Sequence, residues 1–166
     1  MPLALRIIRR RRWDTLPWLS EYEIQADALN DFGTKDNQLS LWIIDDNKSN
    51  LNRVVTAYAA KRDEVTNLDY ALFDVQILSD LNVNYENAPG DTPDEMANSS
   101  WHIHAKELTG QDILELVKVV SELGLPDRLS HINILTLLAD GVSKQILDRS
   151  RMLPKILEKV DKIINS

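Results

Sequence analysis

The chain has 166 residues, 43% of them apolar and 27% charged, with no cysteine and a formal net charge of −7. That size and balance fit one domain with a real core and argue against disorder. They exclude disulfides, thiolate metal sites and a thiol nucleophile, and no window approaches the ~20 apolar residues of a membrane-spanning helix.

The charge is sorted into blocks. Residues 1–12 carry five arginines and no acid, residues 13–125 hold 21 Asp/Glu against 7 Lys/Arg, and residues 126–166 hold 7 Lys/Arg against 5 Asp/Glu. Such sorting speaks to partners rather than to fold. Leu3, Ala4 and Leu5 precede the arginines, the reverse of the order in a secretory signal. The expectation is a cytoplasmic protein with no membrane contact.

Taken in chain order, residues 3–9 alternate as a strand, with arginines at its end to block unwanted edge pairing. After a connector around Pro17, Ser20 and Glu23 have the spacing of a capping box, with Leu19 and Ile24 as its hydrophobic staple and Gly33 as a left-handed C-terminal cap. A helix is expected there, although Tyr22, Ile24, Ala26 and Ala28 also alternate, which leaves a strand open for 21–32. Residues 39–44 (LSLWII) read as a continuous, buried strand. Leu51, Val54, Val55, Tyr58 and Ala59 then form the apolar stripe of a helix whose last turn carries Lys61 and Arg62. Residues 70–78 alternate as a third strand, and 82–100 are a breaker-rich connection turning at Pro89-Gly90. A fourth strand is expected at 101–107.

Thr109 and Asp112, with Leu108 and Ile113, predict the next helix start, and Gly124 and Pro126 its end. The remainder reads as helical: one segment over 129–139 stopping at Gly141, another from Ser143, and a last one after Pro154. The fold class is therefore α+β: a small mixed or antiparallel sheet packed with helices over 1–125, and a helical C-terminal region, 126–166, on the same core.

Four constellations bear on chemistry. His102 and His104 stand two apart on a strand, so both imidazoles project to one face and make a candidate metal pair, with Glu107, Asp91, Asp94 and Glu95 nearby in sequence. The bland alternative turns Trp101, Ile103 and Ala105 to the core and the histidines to water. Ile134 to Leu147 has helix-turn-helix spacing around Ala139-Asp140-Gly141. Locally it resembles the DNA-binding domain of quorum-sensing-type response regulators over about 14 residues, and departs from it at Ser150, Pro154 and Asp161. That likeness implies a nucleic-acid site at Lys155, Lys159 and Lys162, to which Arg9, Arg10, Arg11 and Arg12 beside Trp13 would add guanidinium contacts to phosphate. The last constellation is acidic: Asp45-Asp46, Asp63-Glu64, Asp91 and Asp94-Glu95.

With no nucleophile-base order, no phosphate-cradling glycine loop and only five glycines, nothing names a reaction or a cofactor. The leading reading is a non-enzymatic, acidic interaction or regulatory protein docking on a basic protein partner, adaptor-like or immunity-like. A nucleic-acid-binding regulator is the alternative, and a small metal-dependent enzyme at His102/His104 a second one.

Overall fold

A computed structural model describes residues 1–20, 23–124 and 126–165. The chain forms β1 (Leu3–Ile8), β2 (Leu39–Ile44), α1 (Leu51–Ala60), β3 (Leu68–Asp74), α2 (Gln76–Asp80), β4 (Tyr85–Asn87), α3 (Glu95–Ser100), β5 (His102–Ala105), α4 (Gly110–Glu122), β6 (Asp127–Leu129), α5 (His131–Ser143) and α6 (Pro154–Ile164). The sheet runs in the order β4-β5-β2-β1-β3-β6 and every pairing in it is antiparallel. This is the α+β architecture, with helices at the C-terminus.

Both faces of the sheet are covered, which is why β1 and β2 bury side chains of both parities. On one face, Leu5, Trp42 and Ile44 pack with Val54 and Val55 of α1, Ile134 and Leu138 of α5, and Ile156 of α6. On the other, Ala4, Leu39, Leu41 and Phe73 pack with Phe32, Leu78 of α2 and Leu116 of α4. The C-terminal helices thus share the core of the first face with the sheet.

Several local expectations are corrected. The strand expected over 70–78 ends at Asp74, whose side chain accepts the Gln76 amide at 2.9 Å and turns the chain into α2. The strand over 101–107 is only β5, because Trp101 closes α3 and Glu107 adopts a left-handed φ of 57°. Between 20 and 33 there is a 3-10 segment, Ala26–Phe32, rather than an α-helix or a strand; residues 21 and 22 lie outside the described part. Glu23 does accept the Ser20 amide at 2.9 Å, but Gly33 has a φ of −56° and is no left-handed cap. The carbonyls of Asp31 and Gly33 are taken instead by the guanidinium of Arg6.

The connection over 82–100 is largely ordered into β4 and α3. Asn98 holds it closed: its side chain accepts the Thr92 amide and hydroxyl and donates to the Thr92 carbonyl, at 2.9, 2.7 and 2.8 Å. The region after 126 also begins with a strand, β6, rather than a helix. Finally, α5 does not stop at Gly141 but runs through it to Ser143. A side chain there would meet Leu147 at 3.1 Å, so the glycine makes room for Leu147 to fold back onto α5. No second helix starts at Ser143; a turn and a 3-10 segment, Arg149–Arg151, separate α5 from α6.

Candidate functional site

The arginine run is not a loose strand end. Arg10–Arg12 form a 3-10 turn fastened by two aspartates remote in sequence. Asp31, only 6% exposed, accepts the Arg9 amide at 3.0 Å, the Trp13 Nε1–H at 2.8 Å and the Arg12 guanidinium at 2.5 Å. Asp69 accepts the Arg10 amide at 3.0 Å and a forked bond from Arg128 at 2.6 and 3.0 Å. Burial works to raise the Asp69 pKa, but the Arg128 and Arg10 bonds outweigh it and hold the carboxyl below its ordinary value.

These groups rim a hollow of about 400 Å³ between β1, the last turn of α1 and the strand β3, lined by Arg6, Arg9, Arg12 and Arg62 with Tyr58 and Asn67. Arg6 is half-buried against it. Its guanidinium donates to the carbonyls of Asp31 (2.7 Å), Ser40 (2.8 Å) and Gly33 (3.4 Å), and burial lowers its pKa from the ordinary guanidinium value. Arg6, Ile7 and Tyr58 also line an adjoining cleft of about 240 Å³, whose other walls include Trp42, Lys61, Asp91 and His102. The two cavities adjoin at Arg6, Ile7 and Tyr58, which line both.

His102 and His104 do share a face of β5, with ring centroids 5.1 Å apart. Ile103 and Ala105 pack in the core of the opposite face, as the alternation requires, but His102 is buried rather than turned to water. It lies edge-on to Trp42 at 4.7 Å, and its Nδ1 is 2.9 Å from the Ala88 carbonyl. A carbonyl only accepts, so the proton sits on Nδ1 and Nε2 holds the lone pair. Burial pushes its pKa down, the Ala88 bond opposes that, and the charges of His104 and Lys61 add to the lowering.

The acids near the histidines in sequence are used elsewhere. Asp91 bonds Lys61 at 2.6 Å and Arg151 at 3.2 Å, Asp94 takes Arg53, and Glu95 lies 3.4 Å from Arg151. Among the described residues no group of three or more His, Asp or Glu is placed to hold a metal ion. Lys155, Lys159 and Lys162 are all exposed on α6. Lys155 faces a hollow with Lys61 and Arg62, while Lys162 pairs with Glu158 at 2.8 Å.

Carboxylates gather at the other end of the sheet. Leu3 has Ile44 on one side and Asp74 on the other, which places the ends of β2 and β3 about 10 Å apart at ordinary strand spacing. Asp45 and Asp46 follow Ile44, and Asp74 closes β3. Asp45 accepts the Ser49 hydroxyl, and Asp46 lies 3.6 Å from the Met1 amine. Sequence reasoning named Asp45 and Asp46 but missed Asp74, which only strand register brings to them. It also missed Arg6 and Tyr58 as site residues, although a lone arginine within an apolar strand is a signal that could have found the first.

The chain matches no family model, no curated protein and no solved structure.

Proposed function

We propose that this chain is a non-enzymatic interaction protein that docks on a basic protein partner, as an adaptor or an immunity protein would. Its docking surface is the acidic end of the sheet. The supporting observation is that strand register brings carboxylates with no side-chain cation of their own together at that end. Asp31, Asp69, Asp91, Asp94, Asp140 and Asp161 each have an arginine or lysine partner within the chain. Asp45 and Asp74 have no ion-pair partner among the described residues, and Asp46 has only the Met1 amine. Carboxylates left unanswered in one place set up a local field that steers a cationic surface and fixes its orientation.

The test is capture of partners from the native cell after nuclease treatment, with the bound protein identified and its association rate measured. Asp45→Lys/Asp74→Lys is expected to slow association at least tenfold at low salt. Asp63→Lys/Glu64→Lys, beyond the far end of α1, is the charge-matched control. Equal retention by both doubles would remove the acidic end from the docking surface.

A further inference from the structure

The geometry points to a second binding site of opposite sign: we propose that the two cavities adjoining at Tyr58 hold a small phosphomonoester with a flat organic body. The phosphate lies in the arginine-lined hollow and the body in the adjoining cleft beside Trp42. Four arginines line the hollow against two carboxylates, Asp31 and Asp69. Both carboxylates are already engaged by intramolecular donors, Asp31 by Arg9, Arg12 and Trp13 and Asp69 by Arg10 and Arg128. The guanidiniums of Arg9 and Arg62 have no hydrogen-bond or ion-pair partner among the described residues, and that of Arg6 meets only carbonyl oxygens. A net positive charge is therefore fixed inside a concave surface of an acidic protein. Guanidinium forks match phosphate oxygens better than any other side chain does.

Two features favour a small ligand over a nucleic-acid strand. On one side the hollow adjoins the 240 Å³ cleft, where Ile7, Trp42 and Tyr58 stand among Lys61, Asp91 and His102, a mixed surface whose aromatic part suits an unsaturated ring. Past Arg62 the next hollow sets Asp63 and Glu64 among Lys61 and Lys155, so the cations there are interrupted by carboxylates that disfavour a continuing polyanion.

The experiment is calorimetric titration of the full chain with adenosine 5′-monophosphate, inorganic phosphate, adenosine and a single-stranded oligonucleotide. The expected result is saturable binding of the monophosphate, weaker binding of inorganic phosphate and none of adenosine. Arg9→Gln and Arg62→Gln are each expected to weaken the monophosphate about tenfold, the worth of one charged hydrogen bond. Arg11→Gln, an exposed residue outside the hollow, should change nothing. The proposal is overturned by no saturation with either phosphate probe, by adenosine binding as well as its monophosphate, by indifference to both arginine substitutions, or by tighter binding of the oligonucleotide.

Discussion

Arg53 and Asp94 meet through a forked pair, Nε to Oδ2 at 2.6 Å and Nη2 to Oδ1 at 2.9 Å, that ties α1 to the start of α3. The carboxylate is 1% exposed and also caps α3 through the Ala97 amide at 3.1 Å. The guanidinium lies over Trp101, 5.6 Å from the ring centroid. Removing the arginine strands a buried charge, which costs more than the pair itself contributes. Arg53→Ala is expected to lower unfolding stability by about 2–3 kcal/mol, discounted for the partly exposed arginine. Urea denaturation checks it, and a loss below about 1 kcal/mol would show that water reaches Asp94.

Asp31 organises three donors at once, and its loss should be felt in the turn before it is felt in the sheet. Asp31→Ala leaves the Arg9 amide and the Trp13 indole without their acceptor, an expected cost of about 3 kcal/mol. Proteolysis near Arg10–Arg12 should accelerate, since the turn has no buried residue of its own to hold it. Unchanged cleavage would mean that the turn holds itself.

The pH dependence follows from His102. Its folded pKa lies below the ordinary 6.5, so an unfolded chain binds a proton there that the folded chain refuses. Stability then rises with pH across this window: its contribution is complete above 6.5 and is lost as pH falls from 6.5 toward the folded value. His102→Gln keeps an N–H donor for Ala88 and should flatten the denaturation profile between about pH 7 and 5. A profile as steep as that of the unsubstituted chain would place the titration elsewhere. Asp69, Asp91 and Glu115, all held low, contribute at more acid pH, where their protonation removes stability.

Gly90 and Gly110 form a matched pair of tests. A Cβ at Gly90 would stand 2.7 Å from Asn98 Oδ1 and 3.1 Å from the Trp42 ring. Asn98 cannot retreat, because its amide holds Thr92. Gly90→Ala is expected to cost about 1–3 kcal/mol and to perturb Trp42 fluorescence. At Gly110, in the first turn of α4, nothing lies within 4 Å of the added carbon. Gly110→Ala should be neutral or stabilising by up to about 1 kcal/mol. Thermal unfolding of both separates close approach from glycine content as such.

How much of this was legible depended on whether a signal was local. The α1 stripe from Leu51 to Ala59, the buried strand 39–44 and the Thr109–Asp112 box, with both of its reciprocal bonds formed, are all written within a few adjacent residues. The edge strands β4 and β6 are three residues each and mostly exposed, so no apolar period marks them. Gly141 looks like a stop until Leu147 is seen to need its space. The arginine run reads as solvated because the acids that fix it, Asp31 and Asp69, lie about 20 and 59 residues away. The candidate site shares that difficulty, since Arg6, Tyr58 and Trp42 come from three elements and converge only through strand register and the placement of α1.

The position of β1 at the middle of the sheet carries a consequence for how the chain is made. β1 is the earliest of the six strands and bonds on both edges, to β2 and β3. It therefore waits, with both edges open, until residues up to Asp74 have left the ribosome. Long-range pairing of this kind is slow and exposed to mispairing. The arginines at 9–12, which follow β1 directly in the chain, put like charge next to those open edges, the kind of residue that opposes edge-to-edge pairing.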